Sequence, residues 1–303
     1  MNRWIVRLAA MLLALAGAMP ALATGGRLID LPPIAASGLP VQRVTVWLPP
    51  GYDRGRRRYP VIYMQDGQNL FRPGSAVFGT AWAADRAMLV AMRRSRVPAH
   101  IIVGVWAPGS DRWRQYLPDE VHESASPALK AALERQAGGA IVSSAYLAWL
   151  AGPLKARIDA GFRTLPDRDH TAVAGSSMGG LVSCAAFLRY PAVYGRAACI
   201  SSHWPATDPR VIGPANRELI AFWDGWFARR LGAPRGRRLW LDHGTATLDA
   251  AYAPYQKVVD RRIAAMGWRE GRDWRSRVFD GAAHDEASWA ARLPDIFAWL
   301  LRP

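Results

Sequence analysis

Lysine is almost missing from this chain. Of 39 basic residues only Lys130, Lys155 and Lys257 are not arginine, and the formal net charge is +15. The arginines are scattered, apart from Arg56-Arg57-Arg58, and no RNP, helix-turn-helix or zinc-finger spacing accompanies them. The charge therefore does not indicate a nucleic-acid partner, although it leaves an anionic substrate open. Cysteine is equally sparse. Cys184 and Cys199 have no metal-ligand spacing, which speaks against a bound metal, and their apolar neighbours read as those of buried free thiols. A single disulfide is allowed only if the chain is exported. Past the first residues there is no run of ~18 apolar residues, so no stable membrane insertion is expected of the body. There is no internal repeat and no Pro/Ser-rich linker, and residues 24–303 read as a single domain.

The first 23 residues differ from the rest. Arg3 and Arg7 precede an apolar run from Leu8 to Ala18, and Ala21-Leu22-Ala23 supplies small residues at a cleavage position. The pattern is that of a secretory signal cut after Ala23, leaving Thr24 as the first mature residue. The expected location is secreted or, in a Gram-negative cell, periplasmic.

Half of the 303 residues are hydrophobic, enough for a sizeable core. Strand-like stretches at 41–49, 59–64, 100–107, 170–175, 197–202, 237–244 and 276–281 alternate with helical patterns at about 80–95, 143–161, 178–189, 214–230, 249–266 and 287–301. This alternation predicts an α/β fold with a mostly parallel central sheet and helices on both faces. Residues 106–142 mix Trp, Arg, Pro and Gly and fit no clean period.

"GSSMG" (175–179) places Ser177 in a G-x-S-x-G turn, after a short apolar strand and before a helix-forming run. That context predicts a nucleophile elbow, in which a strained serine projects above the sheet and the Met178 N–H faces a developing oxyanion. A serine needs a base. His284, in the loop after the last strand, can reach back over Ser177, whereas His203 and His243 read as pocket-lining or strand-end residues. The acid belongs between them in chain order, which leaves Asp249, past a Gly-Thr turn, ahead of Asp242, within the strand alternation. Asp249 also fits a helix N-cap. The turn after the 59–64 strand, "QDGQN", offers a second oxyanion donor at the Gln68 N–H.

Three stretches, "YPVIYMQDGQNLF", "AGSSMGGLVSCAAFLRYPAVYGRAACIS" and "FDGAAHDEASWAARLPDIFAWL", resemble the Putative esterase family of α/β-hydrolases. That group holds esterase D-like enzymes, siderophore esterases, feruloyl esterases and mycolyltransferases. The resemblance implies an α/β-hydrolase fold, Ser177 as nucleophile, His284 as base, Asp249 as acid, and Met178 and Gln68 as backbone donors. Together with the signal segment, it implies an exported serine hydrolase acting on a small-molecule ester through an acyl-enzyme, with no cofactor. An acyltransferase on the same scaffold and a non-catalytic binding protein for an anionic glycan or siderophore are the rival readings. Trp106 and Trp204, with Trp82 and Trp113, are candidates for an aromatic pocket, and Arg112 is a candidate contact for an anionic group.

Overall fold

The computed structural model describes residues 25–213 and 216–303. The expected signal segment and its cleavage point lie outside the described residues. Eight strands form one sheet: β1 (Arg27–Asp30), β2 (Val44–Leu48), β3 (Val61–Gln65), β4 (Ile101–Val105), β5 (Thr171–Ser176), β6 (Arg196–Ile200), β7 (Arg238–Gly244) and β8 (Trp274–Phe279). Their order is β1-β2-β4-β3-β5-β6-β7-β8. β1 and β2 pair antiparallel with their neighbours, and the other pairs are parallel.

Alternation along β3 shows how the sheet is covered. Val61 and Tyr63 join an apolar cluster with the helix Met178–Arg189, while Ile62 and Met64 join one with the helices Ala84–Ser95 and Glu286–Leu300. A strand buried on both faces reads as a continuous apolar run, which is why residues 59–64 carry no polar alternation. The expected α/β layering holds. Among the described residues, no helix is long and apolar enough to cross a membrane.

Three features depart from expectation. β1 was not anticipated: it has only four residues and lies at the sheet edge, fastened by the Trp47 Nε1–H bond to the Gly25 carbonyl. Residues 106–142 contain three short helices, Arg112–Tyr116, Asp119–Ser124 and Pro127–Ala137, the first of which packs on the helix Met178–Arg189. Cys184 and Cys199 are joined in a disulfide and are not free thiols. Cys184 lies on the helix that follows Ser177 and Cys199 on β6, beside β5, so their Cα atoms come within 5.8 Å. That is an ordinary disulfide separation, and two apolar surroundings could not reveal it.

Candidate active site

β5 ends at Ser176, and the next residue bends sharply into a helix. Ser177 has φ 56° and ψ −127°, a conformation that side-chain-bearing residues rarely adopt. Its N–H is fixed by the Ile200 carbonyl at 3.0 Å, and its own carbonyl accepts the His203 and Leu181 N–H groups. The turn is too tight for a side chain at Gly175, where a Cβ would lie 2.5 Å from the Gly179 carbonyl oxygen.

Two distant loops complete the constellation. His284 Nε2 stands 2.8 Å from Ser177 Oγ, and His284 Nδ1 stands 2.5 Å from Asp249 Oδ1. The loop carrying His284 is held by its own N–H, which donates to Thr247 Oγ1 at 2.7 Å. Asp249 sits fully buried in the 3-10 turn Thr247–Ala251, ahead of the helix Ala253–Ala265, and does not cap it. Its second oxygen accepts the Gly244 N–H at 2.5 Å and the Ser201 hydroxyl at 2.6 Å. Burial pushes the Asp249 carboxyl up, but the bonds from His284, Ser201 and Gly244 outweigh it and hold the group below the usual carboxylate range. Asp249 is therefore an ionised acceptor facing the imidazole.

Asp242 makes no contact with His284. β7 runs on to Gly244, so Asp242 stays within the sheet, where it pairs with Arg292 at 2.9 Å and accepts Trp240 Nε1–H at 2.7 Å. His243 is a buried strand residue against its neighbour's carbonyl. His203 is buried between Tyr252 and the Thr207 carbonyl. Burial first, and then nearby His284, push its pKa down to about 3, so it is neutral.

Met178 begins the helix after Ser177, and Gln68 lies in the 3-10 turn Gly67–Asn69 that follows β3. Among the described residues, neither N–H has a hydrogen-bond acceptor. The turn can pack this close because residue 67 has no side chain: a Cβ there would lie 2.6 Å from the Gly104 carbonyl carbon.

A cavity of about 640 Å³ opens over Ser177 and His284. Its walls are apolar at Val77, Phe78, Trp106, Leu248 and Trp289 and polar at Gln68, Asn69, Arg112 and Glu286. Trp106 lines it as expected. Trp204 does not: it is fully buried against Trp223 and donates to Gln256 Oε1 at 3.0 Å. Trp82 is likewise buried, and Trp113 packs edge-on against His203. Arg112 faces the cavity but is already bound by two parallel bonds, of 2.7 and 2.8 Å, to Asp66. Glu286 and Trp289 were missed as site residues. Both lie in the quoted "HDEASW" stretch, and their spacing after His284 on a helix start is the signal that could have found them.

A family model described as Putative esterase matches residues 41–300. A Bacillus subtilis (strain 168) protein called uncharacterized protein YbbA is 25% identical over 164 residues, which is 54% of this chain. The match spans 58% of that relative's length. Among solved structures, a ferulic acid esterase superposes with a TM-score of 0.61 at 18% identity, covering 92% of this chain and 98% of its own. An IroE-like serine hydrolase from Shewanella oneidensis gives 0.63 at 16% identity, covering 90% and 80%. The feruloyl esterase module from Clostridium thermocellum, complexed with sinapinate, gives 0.63 at 14% identity, covering 92% and 89%. At these identities the structural likeness establishes the fold.

Proposed function

The chain belongs to the Putative esterase family, and from that membership we propose that it is an exported carboxylic ester hydrolase with Ser177 as nucleophile. His284 Nε2 takes the hydroxyl proton as Ser177 Oγ attacks the ester carbonyl. Asp249 keeps the imidazole oriented and stabilises its positive charge. The negative charge on the carbonyl oxygen is met by the Met178 and Gln68 N–H groups, the former reinforced by its place at a helix start. Collapse expels the alcohol, which takes the proton from His284. Water, activated by the same imidazole, then releases the acid from the acyl-enzyme.

The observation that carries this reading is the unbroken line Ser177–His284–Asp249, with 2.8 and 2.5 Å contacts, at the floor of a cavity. Nothing local explains it, because Ser177 and His284 are 107 residues apart. Val77, Phe78, Trp106 and Trp289 suit an ester with an aryl or other apolar group. An expected signal segment and a disulfide agree with export to an oxidising compartment, with residues 24–303 as one catalytic domain.

The test is turnover by purified Ser177→Ala on esters of varied acyl and alcohol parts. We expect wild-type hydrolysis of at least one apolar ester and its loss in the variant, with the fold kept. Undiminished hydrolysis by the variant would move the nucleophile elsewhere.

A further inference from the structure

We propose that Ser201, held by Arg292 and Asp242, is a positioning residue that fixes the Asp249 carboxylate against His284. This rests on the reading of Ser177, His284 and Asp249 given above and extends it by one layer.

Proton directions within the cluster are forced. A guanidinium has only donors, so the 2.5 Å contact from Arg292 Nη2 obliges Ser201 Oγ to accept. The single hydroxyl proton of Ser201 must then point elsewhere, and Asp249 Oδ2 lies 2.6 Å away. That oxygen also takes the Gly244 N–H, which leaves Oδ1 to face the imidazole. Asp242 holds the assembly from behind. Its Oδ1 accepts the Ser201 N–H at 3.0 Å and pairs with Arg292 at 2.9 Å. One serine thus gathers the end of β6, the strand β7, the turn bearing Asp249 and the helix whose N-terminal loop bears His284.

Two further observations point away from a purely structural role. Ser201 has φ 40°, in the left-handed region that favours glycine, so a serine here is strained. Arg292 is nearly fully buried, yet among the described residues its Nε and Nη1 have no hydrogen-bond acceptor. A buried, half-satisfied guanidinium is a poor stabiliser, since its desolvation cost is recovered only by complete bonding. Backbone strain alone would favour glycine at 201.

Ser201→Gly removes the hydroxyl at a positive φ that glycine adopts freely, so the fold should be kept while the contact to Asp249 is lost. Ser201 lies outside the cavity, so the substrate KM should stay near wild type while kcat falls about 10- to 100-fold, the worth of one hydrogen bond to a charged group. Relief of the strained backbone opposes the loss of two buried hydrogen bonds, so the variant should stay folded with a melting temperature at or modestly below wild type. The Ser201 hydroxyl is one of the donors that hold the Asp249 carboxyl low, so without it the carboxylate becomes more basic and the acidic limb of the kcat/KM profile should move to higher pH. Other titratable and charged groups face the pair. They are Asp242 on β7, Arg292 on the last helix, His203 after β6, Tyr252 before the helix Ala253–Ala265, and Asp285 and Glu286 beside His284, with Arg112 beyond His203. All are shared by variant and wild type, so the difference between the two profiles reports the missing hydroxyl.

The experiment compares wild type, Ser201→Gly, Arg292→Met, the double variant and Ser177→Ala on one ester between pH 5 and 9. Because Arg292 donates to the Ser201 hydroxyl, the rate loss in the double variant should be smaller than the product of the two single losses. A Ser201→Gly profile that superposes on wild type, or single effects that multiply in the double variant, would overturn the assignment. If Arg292→Met does not fold, the Ser201→Gly profile decides alone. Retained turnover in Ser177→Ala would instead sink the underlying serine-hydrolase reading, so the two failures are distinguishable.

Discussion

Replacing Asp249 by Asn keeps the shape of the acid and removes its charge. The imidazolium formed during attack then loses its partner, so kcat should fall by about two to four orders of magnitude, as single-turnover and steady-state rates on one ester would report. A loss below tenfold would mean that another group orients His284. Ser177 and His284 were legible in the sequence because a tight turn and a loop past the last strand impose local patterns. Asp249 was legible only as the better of two aspartates. The choice depended on where β7 ends, and strand ends are set by pairing with neighbours: β7 and β8 stay in register through Gly244. Trp204 misled for the opposite reason. A tryptophan just past a strand end near a nucleophile looks like a pocket wall, but its partners, Trp223 and Gln256, come from segments that local sequence does not connect to it. Ser201 and Arg292 carried no signal, since their meaning lies wholly in three-dimensional contact.

At the scale of elements, the buried strands and the long helices followed from periodicity. Helix Ser143–Trp149 continues into Lys155–Gly161 through a π-helical stretch around Pro153, as a proline inside a helix requires some local rearrangement. β1 and the short helices of residues 112–137 escaped because short elements draw their stability from tertiary packing and carry little pattern. The disulfide joins the helix Met178–Arg189 to β6 across 15 residues. Closing a loop of that length constrains the unfolded chain by about 3 kcal/mol in the chain-entropy account. The double variant Cys184→Ala/Cys199→Ala should therefore unfold at lower denaturant by about that amount, relative to the oxidised protein. A reductant should bring wild type down toward the variant. Equal stability of oxidised wild type and variant would contradict a disulfide that contributes to the fold.

For the whole molecule, acid sensitivity should come from imidazoles buried in neutral form. Burial, then the positive Arg196, push His100 down to about 3 from 6.5. Burial and His284 do the same to His203. A base with a folded pKa below its unfolded one takes its proton first in the unfolded chain. Stability is therefore complete above about pH 6.5 and is lost progressively as pH falls toward 3. Asp249 has a lowered carboxyl, so its contribution is present above its ordinary 3.8 and lost only below that, outside the histidine window. Raised carboxyls, Asp242, Asp260 and Glu286, act in the opposite sense. A variant comparison removes them. Near pH 5 the stability of His100→Gln should vary with pH less steeply than wild type by about 1.4 kcal/mol per pH unit, the limiting slope for one proton. Parallel stability curves would mean that His100 is protonated in the folded state.

The central claim is that the sheet brings three separated loops together to make Ser177 a nucleophile. Covalent capture tests it most directly. Wild-type protein treated with a fluorophosphonate, digested and mapped by mass spectrometry should carry one phosphonyl adduct, on Ser177. Labelling should be slowed by about two orders of magnitude or more in His284→Ala, which lacks the base. An unmodified Ser177, or an adduct formed at the same rate without His284, would contradict the account.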